Sequence, residues 1–125
     1  MEFGEKLRAR RTELGMSQGT LAQKSGLSLR SIQNYEGGSR HPGNIAIVKR
    51  MAEALDTGWE YLLDDTARYV IDAGERGGES AAADMDKLLS ELHGLFAGGR
   101  LSQGDKDKVI RAINEIYWET KEEVK

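Results

Sequence analysis

The sequence predicts an all-α fold: five short helices closing one core, followed by a C-terminal helical hairpin. Three observations lead there. Apolar residues recur at i, i+3, i+4 and i+7, as in Val48, Met51, Ala52 and Leu55, which is the stripe of a one-sided helix. Ser, Asn and Gly stand where helices would start and stop, and Pro42 is the only proline. Hydrophobic residues make up 38% of the chain and charged ones 31%, a balance that suits a soluble, largely helical protein.

The elements follow in order. A first helix is expected from about Phe3 to Leu14, with Phe3, Leu7 and Leu14 inward and Gly15 as its stop. Ser17 suits the N-cap of a second helix ending near Lys24. Ser28 caps a third that runs to about Glu36 and ends at Gly37 and Gly38. After the loop SRHPG a fourth helix follows Asn44, and Thr57 with Glu60 makes a capping-box pattern for a fifth containing Trp59, Leu62 and Leu63. These five helices define a first domain, residues 1–65.

Residues 66–80 read as a helix and a Gly-rich linker, because Tyr69, Val70 and Ile71 are apolar whereas GERGGES breaks the pattern. In residues 81–125, Met85, Leu88, Leu89, Leu92, Leu95 and Phe96 form one stripe, which Gly98 and Gly99 end. Ser102 with Asp105 then caps a last helix bearing Val109, Ile113, Ile116 and Tyr117. A short loop joins the two helices, so an antiparallel hairpin is expected. It either packs back on the five-helix unit or pairs with a second copy. The glycine-rich break favours a separate dimerisation module, with Leu88, Leu92, Phe96, Ile113, Ile116 and Tyr117 as its contacts.

Within the first domain, Ser17 to Glu36 has the character of a helix-turn-helix. Leu21 and the small Ala22 face inward from one helix, Gly26 supplies a positive φ for the turn, and Ile32 and Tyr35 face inward from the next. Such units usually carry their second helix into the major groove of DNA. Charge is distributed in keeping with this. Residues 1–50 hold nine Lys or Arg against four acids, leaving +5, whereas residues 51–125 carry −8. On the third helix, Arg30, Gln33 and Asn34 lie about 160°, 100° and 200° from Ile32 and so share the face opposite the core. Arg reads guanine bidentately, and Gln or Asn reads adenine.

Ser17-Gln-x-x-Leu-Ala-x-x-x-Gly26, followed by Ser28, Ile32, Tyr35-Glu36, Gly38, Pro42, Ala52-Glu53-Ala54-Leu55 and Trp59 to Leu63, resembles the lambda-repressor-like helix-turn-helix family of Cro/repressor type. The resemblance covers residues 3–63 and departs from the family in starting the fourth helix one residue late after Pro42. It implies a five-helix DNA-binding domain in which Gln18 hydrogen-bonds a phosphate and braces the recognition helix. Leu29 sits at the exposed N-terminal end of that helix, a position where proteins that this chain resembles contact bases, and an apolar side chain there suits a thymine methyl. Ser28, Ser39 and Arg40 are further phosphate candidates, and Arg11 with Glu36 corresponds to a structural ion pair. It further implies a sequence-specific transcriptional regulator, a homodimeric repressor on a two-fold operator. The alternative is the antitoxin of a toxin–antitoxin pair, with a toxin or antirepressor held by the C-terminal helices. A protein-interaction module with a silent DNA face is a third class.

Other chemistry is not indicated. There is no cysteine, and His41 and His93 lack companions at metal spacing, so no metal or cofactor is expected. No serine, histidine and carboxylate grouping suggests catalysis. GERGGES lacks the strand context and Lys-Ser/Thr of a phosphate loop. Neither a signal-peptide run nor a membrane span is present, so a cytoplasmic location is expected.

Overall fold

The computed structural model describes residues 2–96 and 102–123, and the side chains of all of these except 93–96, 103, 122 and 123. Among the described residues the chain is all-helical: α1 Phe3–Glu13, α2 Gln18–Ser25, α3 Leu29–Gly37, α4 Ile45–Ala54, α5 Trp59–Leu62, α6 Asp65–Phe96 and α7 Gln103–Glu123.

Local capping sets most boundaries. The Ser17, Ser28 and Asn44 side chains accept the N–H of Thr20, Ser31 and Ile47, each at 3.0 Å, opening α2, α3 and α4. Ser102 accepts the N–H of Asp105 at 3.1 Å to open α7. Gly26 and Gly38 close α2 and α3 with φ of 72° and 81°. Two expectations fail. The helix α5 starts at Trp59 behind Gly58, with no side-chain cap, so Glu60 stands one position too early to complete a box with Thr57. Leu14 is exposed, because α1 ends at Glu13 and the inward register ends with it.

Phe3, Leu7, Leu21, Ile32, Val48, Met51, Leu55 and Leu62 fill the first core, which Ala67 and Ile71 of α6 complete. Each such side chain contributes about 1.5–3 kcal/mol by leaving water. Gly4 lets α1 cross the end of α3 closely, since a Cβ there would meet the Tyr35 and Glu36 carbonyls. Asp64 joins the ends of the unit: one oxygen accepts the N–H of Phe3 at 2.8 Å and the other that of Ala67 at 2.7 Å. It therefore caps α6 locally and α1 from a distance.

In place of the expected break, the segment 74–80 is helical except at Gly78, whose φ of 80° and ψ of −170° kink α6. Val70 and Ala73 before the kink share a second core with Ala81, Ala82, Met85 and Leu89 after it, and side chains of α7 cover that core. Across the bend, the Arg76 guanidinium lies 3.9 Å from the centre of the Trp118 ring. The Gly43 carbonyl abuts Gly74, and a Cβ at Gly43 would stand 3.4 Å from that of Ala82, so α6 also packs against the loop after α3.

Of the residues expected at a dimer contact, Leu92, Ile113 and Tyr117 pack into the second core of their own chain. The Tyr117 hydroxyl also donates to Asp84 at 3.1 Å. Leu88 and Ile116 are 38% and 56% exposed. The side chain of Phe96 lies outside the described residues, as do that of His93 and the expected stop at Gly98 and Gly99.

Candidate nucleic-acid interface

The helix α3 is held from three sides. Ile32 and Tyr35 bury its inner face, and its N-terminus is capped by Ser28. Its C-terminal end is fastened by Glu36, a charged residue with no side-chain exposure. Arg11, on α1, meets it with two bonds, Nε to Oε2 at 2.7 Å and Nη2 to Oε1 at 2.9 Å. Gln18 on α2 donates to Oε1 at 3.2 Å, and Arg8 stands at 3.4 Å from the same oxygen. The ion pair expected between Arg11 and Glu36 is thus a node joining three helices. Burial, the largest influence, raises the Glu36 pKa. The bonds from Arg11 and Gln18, the Arg11 charge and the Arg8 bond together outweigh it and hold the carboxyl below its ordinary range.

With its inner side fixed, α3 turns Leu29, Arg30 and Gln33 to solvent, with Asn34 half-buried beside them. These four residues share one outward surface. The phosphate candidates are placed less uniformly. Gln18 is turned onto Glu36, and the Ser28 hydroxyl already donates to Ser31 Oγ at 2.9 Å. Ser39 Oγ donates to the Asn34 carbonyl at 3.3 Å. The Arg40 side chain is exposed, with no hydrogen bond or ion pair among the described residues.

The basic excess of the first fifty residues is largely consumed by the fold. Arg10 donates to the Leu55 and Asp56 carbonyls at 2.9 and 3.0 Å, closing α4. Arg50 donates to the Ser25 and Gly26 carbonyls, both at 2.9 Å, closing α2. Lys6 donates to the Leu63 carbonyl at 3.0 Å, closing α5. Each cation sits at the negative end of a helix dipole that its own helix does not cap. Lys49 stands over Trp59, and Arg8 and Arg11 hold Glu36. Of the first fifty residues' cations, the side chains of Lys24, Arg30 and Arg40 remain without a hydrogen bond, ion pair or ring contact among the described residues. Lys24 was not singled out by its sequence context. Only its exposure at the end of α2 marks it.

Comparison with known proteins places the domain in a family. A helix-turn-helix domain family model matches residues 2–62. The HTH-type transcriptional repressor RghR of Bacillus subtilis is 41% identical over 61 residues, which are 49% of this chain and 45% of that protein. The chain thus spans less than half of that relative. Uncharacterized HTH-type transcriptional regulators of Sinorhizobium medicae and Rhizobium meliloti are each 32% identical over 120 residues, 93% of this chain and 84% of theirs. No solved structure matches.

Proposed function

The chain belongs to the helix-turn-helix transcriptional regulators, and on that premise we propose that it is a sequence-specific repressor acting as a homodimer. The observation that carries the reading is the outward face of α3, where Leu29, Arg30, Gln33 and Asn34 stand together on a helix fixed by its core side and by Glu36. Arg30 would take a guanine through O6 and N7, Gln33 and Asn34 adenines through N6 and N7, and Leu29 a thymine methyl.

Phosphates would fix the register without reading sequence. A phosphate oxygen only accepts, so Ser28 and Ser39 must turn their hydroxyl hydrogens away from Ser31 and Asn34 to reach one. Gln18 keeps a second amide N–H beside the free N–H groups that open α2. Arg40, with all of its side-chain donors available, leads this set.

One α3 reads too few base pairs for useful affinity, and two copies related by a two-fold axis would place their helices about 34 Å apart. The exposed Leu88 and Ile116, on neighbouring helices of the hairpin, support pairing there. An occupied operator blocks transcription without further machinery, and the Bacillus relative, a transcriptional repressor, supports that reading.

Selection of bound duplexes from a random pool tests all of this together. The expected product is an inverted repeat with half-sites about one helical turn apart. A pool that never enriches, or that converges on a single half-site, overturns the reading. Within the selected site, Arg30→Ala should cost about 1–3 kcal/mol and relax one base position. Equal loss on random duplex would instead make Arg30 a phosphate contact.

A further inference from the structure

We infer that Asp86, in the C-terminal half of α6, is a positioning residue for DNA binding: it fixes the loop after α3 so that Arg40 is set toward a phosphate. This rests on the DNA-binding reading above.

The loop leaves α3 at Gly38 and is held at two points. At the near point the Asn34 carbonyl accepts the N–H of Ser39 at 3.1 Å and of Arg40 at 3.4 Å. At the far point Asp86 Oδ1 accepts the backbone N–H of His41 at 3.0 Å and lies 2.9 Å from its ring Nδ1. An ionised carboxylate only accepts, so Nδ1 carries the hydrogen, and one oxygen receives two donors from a single residue. Ser90 Oγ, at 3.4 Å from the same oxygen, steadies it. The His41 and Asp86 side chains are 12% and 13% exposed, so water competes poorly for these bonds.

Arg40 belongs to the near point and directly precedes the far one, with its side chain in solvent. Behind it the loop has no room to retreat, because Pro42 is fully buried and Gly43 lies against Gly74 and Ala82. Asp86 belongs to the helix that α7 covers. A rearrangement of the hairpin, by pairing or by a bound protein, would therefore be felt at the phosphate contact.

The test measures binding of the full chain to its selected duplex by fluorescence anisotropy over a range of salt, with circular dichroism reporting the folded state. Asp86→Ala should weaken binding about fivefold or more. It should also lower the slope of log affinity against log salt by about 0.9, the loss of one phosphate contact. Asp86→Asn, which keeps an oxygen acceptor for both N–H groups, should stay close to the parent. Arg40→Ala should lose the same slope, and in the Asp86→Ala background should lose nothing more.

Unchanged affinity and slope in Asp86→Ala, or a full additional loss from Arg40→Ala in that background, overturns the inference. If Asp86→Ala loses its helical signal, His41→Ala carries the test, since it removes one bond of the two. A smaller loss is then expected, and full additivity with Arg40→Ala overturns the inference. A parent chain that binds no duplex overturns the DNA reading and this inference together. A binding parent with an indifferent Asp86→Ala removes this inference alone.

Discussion

Replacing Arg11 with Met is expected to destabilise the folded chain by about 3 kcal/mol near pH 7, and by less as the medium is acidified. Arg11 supplies the two shortest bonds to Glu36, at 2.7 and 2.9 Å. Its removal leaves Gln18 at 3.2 Å and Arg8 at 3.4 Å. Arg8 is 60% exposed and adds little. The stranded carboxylate has one escape, which is to take a proton. For a carboxyl of ordinary pKa 4.5, that costs roughly 3.4 kcal/mol near pH 7, at about 1.36 kcal/mol per unit. This bounds the charge part of the penalty and falls within the range of about 3–5 kcal/mol for breaking a buried pair.

The sign of the pH dependence follows from the direction of each shift. In the parent, Glu36 is held below 4.5, so its stabilisation is complete above that pH and lost as pH falls through the lowered folded value. In Arg11→Met, both influences of Arg11 are gone while burial stays, so the folded value is expected to rise. Acidification then relieves the variant by up to about 1.4 kcal/mol per unit, and the gap to the parent narrows. Urea unfolding followed by far-UV circular dichroism near pH 7, 6 and 5 measures that gap. Pairing the change with Glu36→Met should recover much of the loss, because two well-packed apolar chains replace an ion pair at little net cost. A penalty under about 1 kcal/mol, a penalty indifferent to pH, or single losses that add within about 0.5 kcal/mol would refute the reasoning.

Backbone geometry gives further expectations. Gly78→Ala forces a side chain into a region of φ and ψ that is essentially glycine-only, so it should cost about 1–3 kcal/mol or straighten α6; an unchanged thermal midpoint would show that the kink does not need glycine. Gly4→Ala drives a Cβ into the Tyr35 and Glu36 carbonyls, which as backbone cannot move aside, and should cost about 1–3 kcal/mol in urea unfolding. Gly19→Ala, exposed in α2 with only Ser17 Oγ nearby at 3.8 Å, should instead stabilise by about 0.5–1 kcal/mol in the same assay.

What could be read in the sequence was what three or four neighbouring residues decide. The caps at Ser17, Ser28 and Asn44 close bonds three residues ahead, and Gly26 and Gly38 act on their own φ, so type and spacing were enough. Arg30, Gln33 and Asn34 on α3 followed from helical period, whereas Leu29 came from family resemblance. The Arg11–Glu36 pair, 25 residues apart, came from family resemblance and not from any pattern in the chain. Other long-range bonds left no sequence signal. Asp64 reaches Phe3 across 61 residues, His41 reaches Asp86 across 45, and Arg10 and Arg50 end helices that are not their own. Those cations inflated the basic patch that the charge count suggested. The glycines of GERGGES each cost roughly 1 kcal/mol in a helix, yet the packing of Ala81, Ala82 and Trp118 outweighs them, and only Gly78 uses its freedom.

The double cap at Asp64 gives the five-helix unit the topology of a clasped ring. The first residue of α1 and the first turn of α6 meet at one carboxylate, which couples fraying at the two ends. The clasp also gathers two lines of control. The helix α1 carries Arg11 and steadies the end of α3, while α6 carries Asp86 and steadies the loop beyond it. Both helices begin at Asp64, so one small side chain far from the reading face sets the origin from which that face is aligned.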